Sequence, residues 1–348
     1  MYQLPSPEDF AYQTDILQGV SRTFALTIPQ LPAQLKCVVG NAYLLCRIAD
    51  TVEDEPTLSV EQKCLFTNQF IQVVEGNQSA EDFATQLFPL LSDQTLEAER
   101  DLIKNTDRVI RITQNYNNNQ KRALARCVRI MAKGMADYQE KETLNGLPDQ
   151  VAMDDYCYYV AGVVGEMLAD LFCDYSEEIN QHAETLKKLS VSFGQGLQMT
   201  NILKDIWDDQ QRGACWLPQA TFSKYGFDLS NLKAGSNDPA FHQGLGELLG
   251  IARGHLENAL EYTLLIPKDE RGIRKFCLWA IGMAVLTLNK INKDRNFSHG
   301  DQVKISRRSV KTTIFLTSLF VSQDKLLKLL FNYAISGLPE KNIHEKII

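Results

Sequence analysis

Apolar residues return every three or four positions along nearly the whole chain, and that spacing commits it to helices. Leu35, Val38, Val39, Ala42, Leu45, Cys46 and Ala49 fall on one helical face, as a period of 3.6 residues requires. Comparable stripes cover about 60–75, 96–115, 118–141, 151–174, 182–209, 240–265, 270–292 and 323–336. The stretches between them are brief. Asn145-Gly146-Leu147-Pro148, Ala234–Pro239 and Asn296–Gly300 are turn-sized, and none is long enough to link two domains. Only Lys311–Val321 reads equally well as a strand. The expectation is an all-α fold in a single domain over 1–348, with a last helix at about 323–336.

The 36 basic and 43 acidic residues leave a net charge of −7, the opposite of the basic face a nucleic-acid binder presents. Hydrophobic residues at 44% and charged residues at 23% of 348 positions exclude disordered and collagen-like chains and allow a deep core. Eight cysteines include no CxxC pair and five histidines form no HExxH cluster, so zinc ligation and thioredoxin-like chemistry lack a basis. The cysteines lie in apolar stretches and read as buried thiols of a reducing compartment. The N-terminal residues lack a basic segment and an apolar core, so no signal peptide is expected. No uncharged apolar run reaches 18 residues, and the nearest, Thr312–Val321, is too short to span a bilayer. A cytoplasmic protein without a transmembrane helix is expected, and a monomer.

Two acidic motifs break the apolar stripes. In Arg47-Ile-Ala-Asp50-Thr-Val-Glu53-Asp54, positions 50, 53 and 54 share a helical face with Arg47 and Tyr43. In Gln198-Met-Thr-Asn201-Ile-Leu-Lys204-Asp205-Ile-Trp-Asp208-Asp209, positions 205, 208 and 209 share a face with Gln198 and Asn201. Unit charges about 6 Å apart repel by roughly 3 kcal/mol at an effective dielectric of 20. Solvated faces tolerate that, whereas a cleft needs cations. Mg²⁺ suits such a cleft, since it binds one or two carboxylates together with waters and substrate phosphates. Chance alone supplies roughly 0.6 such triplets in a chain of this composition, so the motifs by themselves leave solvated faces and metal sites about equally open.

The chain resembles the squalene/phytoene synthase family. The resemblance rests on Ser21-Arg22-Thr23-Phe24, Asp50-Thr-Val-Glu-Asp54, Tyr156-Cys-Tyr-Tyr-Val-Ala-Gly162 through Gly165, Thr200–Asp205 through Asp209-Gln-Gln, and Trp216-Leu-Pro218. It covers about 15–310. It implies the all-α fold of class I isoprenoid synthases, with both acidic motifs lining a central cavity. It also implies Mg²⁺ bound by Asp50, Glu53, Asp54, Asp205, Asp209 and, less directly, Asp208. Ser21, Arg22 and Arg47 match diphosphate-contacting positions, and Gln198 and Asn201 lie beside the second motif as substrate contacts. Tyr159 matches a tyrosine of proton transfer. Phe24 and Tyr43 offer aromatic faces to a carbocation, with core packing as the commoner role for such rings. Gly162 and Gly165 suit either close approach of a prenyl chain or helix–helix packing.

The reaction so implied joins two farnesyl diphosphates head to head into presqualene diphosphate, which NADPH then reduces to squalene. No GxGxxG follows a strand, so NADPH would rely on scattered cations: Arg22, Arg47, Lys204, Lys304 and Arg307. Lys204 stands where the family has arginine, Ser306 where its eukaryotic members have arginine, and Ala214 where they have a basic residue. Phe276–Ala280 lacks their proline. A synthase that stops without reduction, making dehydrosqualene or phytoene, therefore remains open, and a noncatalytic helical assembly factor is a more distant alternative. Leu326-Leu327-Lys328-Leu329-Leu330-Phe331 reads first as a core-packing helix and second as an amphipathic helix able to rest on a bilayer.

Overall fold

The computed structural model describes residues 4–21, 23–139, 143–235 and 237–340. Its longer helices are α1 (Pro7–Val20), α2 (Ala33–Asp54), α3 (Val60–Glu75), α4 (Ala80–Leu87), α5 (Glu97–Lys104), α6 (Thr106–Gln114) and α7 (Asn118–Gln139). They continue with α8 (Gln150–Tyr175), α9 (Ala183–Gln211), α10 (Pro239–Leu265), α11 (Arg271–Lys293), α12 (Arg307–Leu319) and α13 (Asp324–Ile335). Among the described residues, strand-like pairing is confined to one bridge between Leu147 and Pro218. The expected all-α class is the class found. Lys311–Val321 is helical up to Leu319, started by Ser306, whose hydroxyl accepts from the Ser309 N–H.

Local chemistry sets the helix ends. Ser6 and Ser59 each close a reciprocal capping box, with Asp9 and Gln62 respectively, satisfying amides that a helix start leaves bare. The 96–115 stripe is two helices, because the chain turns at Asn105 between α5 and α6.

The helices group into two compact units. The first comprises residues up to Glu140 together with Glu166–Ala183. Its axis is α2, which packs against α1, α3, α5, α6 and α7. Leu44, Leu45 and Ile48 on α2 are fully buried. A polar tie crosses this core: the Asn41 amide donates to the Gln13 side chain at 3.1 Å and to the Val109 carbonyl at 3.0 Å, and accepts from the Thr113 hydroxyl at 2.8 Å. The loop after α2 is pinned by Glu55, whose carboxylate accepts from Thr57, Ser92 and Thr95. Despite the opposing effect of burial, these hydrogen bonds hold it ionised, with a pKa of about 2.

The second unit comprises Lys141–Gly165 and Glu184 onward. Its core gathers Trp207, Phe222, Phe227, Phe241 and Phe297, with ring centroids 5.3–6.3 Å apart. Helix α11 packs against α10, α12 and α13. Helix α8 widens into a π turn at Tyr158–Gly162, and it approaches α9 almost backbone to backbone. A methyl group on Gly165 would lie 2.1 Å from the Ser190 carbonyl oxygen, and one on Gly194 2.2 Å from that of Ala161. Of the two roles open to Gly165, helix packing is therefore the one occupied, and Gly162, beside Tyr158 and Val191, shares it.

One stretch, Gln150–Tyr175, is long and apolar enough to cross a membrane by length and composition. A search for uncharged runs passes over it because Glu166 and Asp170 interrupt it. Its glycines meet α9, and Glu166 pairs with Arg126 at 2.9 Å. In α13, Leu327, Phe331 and Ile335 are buried, while Leu326, Leu329 and Tyr333 face outward. None of the eight cysteines is in a disulfide; five are buried, Cys37 and Cys173 are half-buried, and Cys64 is exposed, contrary to the reading of every thiol as buried.

Gly165→Ala should lower stability by about 3 kcal/mol, since backbone leaves a methyl no room. Gly337→Ala, whose methyl meets nothing nearer than 3.9 Å, should not. Thermal denaturation of the two variants checks this, and equal melting temperatures would count against the close α8–α9 contact.

Candidate active site

Both acidic motifs sit at helix C-terminal ends. Asp50, Glu53 and Asp54 occupy the last turns of α2, and Asp205, Asp208 and Asp209 those of α9. The helix dipole places partial negative charge there, which disfavours each added carboxylate by about 0.3–1 kcal/mol near the terminus. Neither helix has a basic residue in its last turn. Repulsion within each triplet thus adds to repulsion from the backbone.

In the first unit, the residues expected at the diphosphate end come together around Arg47. The Tyr43 hydroxyl donates to the Val20 carbonyl at 2.9 Å and accepts from Arg47 Nη2 at 3.3 Å. Phe24 packs on the Tyr43 ring at 5.3 Å. Ser21 is buried and its hydroxyl accepts from the Phe24 N–H at 3.0 Å. Arg47 Nη1 lies 3.8 Å from Asp50, so the helical pair that spacing alone suggests is present. Asp54 is exposed, and Glu53 is half-buried with its carbonyl accepting from Lys63. Arg22 lies outside the described residues.

Glu99 on α5 is the residue that sequence reasoning missed here. Its carboxylate stands 3.5 Å from Arg47, more than fifty positions along the chain, and no motif marks it. Burial pushes the Asp50 carboxyl up to about 7, and Asp54 and Glu99 push the same way while Arg47 opposes them. Burial also disfavours charge on Arg47, but Asp50, Tyr43 and Glu99 outweigh it and hold the guanidinium charged. Its Nε is buried without a partner.

In the second unit, half-buried Asp205 and buried Asp209 on α9 each have one resident cation. Lys204 Nζ lies 3.0 Å from Asp205, and Arg212 Nη2 lies 2.5 Å from Asp209. Burial raises both acids, Asp209 to about 6. Asp208 is exposed, as is Asn201, and Gln198 is half-buried. Tyr159 is half-buried within the π turn, 5.6 Å from the ring of Tyr158. Such widened turns recur at functional sites, and periodicity alone does not reveal this one. Tyr156 stacks face to face on Trp216 at 4.1 Å, joining two of the segments that carried the resemblance.

The basic segment expected to meet NADPH begins beside α9. Gly300 abuts Lys204, Asp205 and Asp208. Lys304, four residues on, is exposed and pairs with Asp301 at 3.1 Å. Arg307 opens α12 and, with Arg308, Lys311, Thr312 and Phe315, lines a surface cavity of about 490 Å³. Ser306 serves as the cap of that helix rather than as a cation, and Ala214 is buried.

Among the described residues, no three histidine, cysteine or carboxylate groups converge as a cage for a metal. Mg²⁺ requires no cage: it keeps several waters and takes one or two carboxylates plus substrate phosphates. Hard carboxylates gathered on one face near a helix C-terminus, Asp208 exposed and Asp205 half-buried, fit that donor set.

With this geometry in place, residues 17–309 match the family described as Squalene/phytoene synthase, and the chain belongs to that family. It is 30% identical over 322 residues to the squalene synthase BSS of Botryococcus braunii, covering 90% of this chain and 66% of that one. It is 29% identical over 279 residues to a squalene synthase of Cyberlindnera jadinii, covering 80% and 60%. The chain thus spans less than two thirds of either relative's length. A solved complex of TcSQS with a ligand superposes with a TM-score of 0.73 at 24% identity, over 97% of this chain and 94% of that one. At that identity the likeness is one of fold.

Native Asp50 keeps its proton to about pH 7, while an unfolded aspartate releases it near pH 4. Between those values the native state binds more protons, so this group lowers stability as pH rises from about 4 to 7 and by a constant amount above. Asp50→Asn should therefore raise the melting temperature by about 2–4 °C at pH 8 and leave it unchanged at pH 4. Calorimetry at both pH values measures this; an equal effect at the two would refute the raised pKa.

Proposed function

We propose that this chain condenses two farnesyl diphosphates head to head into presqualene diphosphate, and that it then reduces this intermediate to squalene with NADPH. The observation that carries the reading is the pair of carboxylate triplets, each complete, each set against its helix dipole and each close to a basic side chain. The reading assigns Asp50, Glu53, Asp54, Asp205, Asp208 and Asp209 to Mg²⁺, which would neutralise the departing diphosphate. It treats the chain as a single catalytic domain working as a cytoplasmic monomer, with peripheral contact to a membrane that accepts so apolar a product.

The chain's own residues do the rest. Arg47, kept charged by Asp50, Tyr43 and Glu99, meets the diphosphate as negative charge gathers on it. Ser21 and Arg22 position that group, and Gln198 and Asn201 orient the substrate beside α9. Once the diphosphate leaves, the allylic cation needs an environment with little water, and the Phe24 and Tyr43 rings present their negative faces to it. The C2–C3 double bond of the second farnesyl chain attacks, and a proton departs to close the cyclopropane. Tyr159 takes part in moving that proton. Lys204, Lys304 and Arg307, with Arg22 and Arg47, supply positive charge to the phosphates of NADPH.

A second reading ends at the condensation, with dehydrosqualene or phytoene as product. What favours it is the loss of cations on the cofactor side: Ser306 caps a helix and Ala214 is buried in the core. A noncatalytic assembly factor would have no use for six carboxylates in positions that destabilise their helices.

Purified protein incubated with farnesyl diphosphate and Mg²⁺ should give presqualene diphosphate without NADPH and squalene with it. The same hydrocarbon in both reactions would replace the reductive reading with the second one. Asp50→Ala and Asp205→Ala should each abolish diphosphate release while keeping the helical circular dichroism of the parent. Full activity in either variant would remove that residue from metal binding.

A further inference from the structure

Gly300 is buried at the start of a short turn, Gly300–Val303, between α11 and α12. Its backbone torsions are not the left-handed ones that favour glycine; five other glycines in the described chain have those. Space is what calls for glycine here. A methyl group on Gly300 would lie 3.2 Å from Asp205 Oδ1, 3.2 Å from Asp208 Oδ2 and 3.2 Å from the Lys204 carbonyl oxygen. Three oxygens from a single turn of α9 thus crowd the one place where a side chain would begin.

The turn is fixed on both sides of that contact. Phe297 is buried and packs on Trp207 of α9 at 6.1 Å, and Val303 is buried completely. Within the turn, the Gln302 side chain accepts from the Ser298 N–H at 2.7 Å, and the His299 carbonyl accepts from the Gln302 N–H at 3.1 Å. Neither the helix nor the turn can retreat freely, so the carboxylates must take rotamers compatible with the backbone above them. Asp205 then directs Oδ1 to the turn and Oδ2 to Lys204.

We propose that Gly300 is a positioning residue for the metal-binding carboxylates of α9: by seating the 299–303 turn directly on Asp205 and Asp208, it sets where their oxygens point and ties the basic Lys304 segment to the metal-binding state of the helix. The proposal rests on the reading of Asp205 and Asp208 as Mg²⁺ ligands. Residues that orient a ligand through contact typically change metal affinity by about 10–100-fold when altered. A methyl at Gly300 obliges the two carboxylate oxygens or the turn to give by a few tenths of an ångström, a shift felt by an ion that demands near-ideal octahedral geometry.

Mn²⁺ binding to the full chain, followed by the loss of its free electron paramagnetic resonance signal, tests this without catalysis. Gly300→Ala should weaken binding about tenfold and raise the Mg²⁺ concentration for half-maximal activity by the same factor, with the rate at saturating Mg²⁺ largely restored. Gly337→Ala, whose methyl meets nothing nearer than 3.9 Å, should leave both unchanged. A folded Gly300→Ala chain with parental Mn²⁺ affinity overturns the proposal and leaves the metal reading standing. If the parent binds no Mn²⁺ even with inorganic diphosphate present, both fall. Should Gly300→Ala not fold, hydrogen exchange of the parent decides: added Mg²⁺ must slow exchange over 297–304, and unchanged exchange there overturns the proposal.

Discussion

Negative charge placed where a helix already ends in negative potential is the constraint on which this structure turns. Six carboxylates occupy the C-terminal turns of α2 and α9, and folding alone gains nothing from that. Proteins usually place lysine or arginine at such ends. Here the relief is partial: Arg47 lies against Asp50 and Glu99 in one unit, and Lys204 and Arg212 lie against Asp205 and Asp209 in the other. Burial is the first cause of the raised pKa values of Asp50 and Asp209, and neighbouring carboxylates add to it. Local instability of this kind persists when a ligand makes use of it.

On the proposed reading, the resident cations also bear on how a metal would bind. A carboxylate already paired with lysine or arginine must give up that partner, or share it, before it serves a divalent ion. On the proposed reading, the partner released in this way becomes a cation available to the substrate's diphosphate. In that light Lys204 and Arg212 belong to the same electrostatic design as the acids, and Glu99 does for Arg47 what those two basic residues do for α9.

The helical class, most helix positions and both acidic motifs were legible in the sequence, because each is written in local spacing. The stripe from Leu35 to Ala49 became the buried face of α2 with no change of register. What escaped was whatever depends on residues far apart in sequence or on a single departure from regular geometry. Glu99 meets Arg47 only because α5 packs on α2. The division of 96–115 at Asn105 leaves no mark that periodicity can detect, since Leu102 and Ile103 are followed seven positions on by Val109 and Ile110, the interval of an unbroken helix. Gly165 shows why two roles stayed open: a glycine in an apolar helix announces that something comes close, and only the Ser190 carbonyl says what. The standing of the six carboxylates, by contrast, was not visible as a conflict with helix dipoles until the ends of α2 and α9 were known.

The π turn at Tyr158–Gly162 holds one residue more than a regular helix would fit into the same rise. Along α8, the side chains before it and those after it are out of phase by about 100° compared with an uninterrupted helix. That offset lets Tyr156 lie flat on Trp216 while Gly165 still meets Ser190. Remove a single residue from the bulge and the helix would regain its ideal winding, yet could satisfy just one of those two neighbours. An irregularity that looks like a flaw in the backbone thus acts as a vernier, reconciling two surfaces whose spacings do not match.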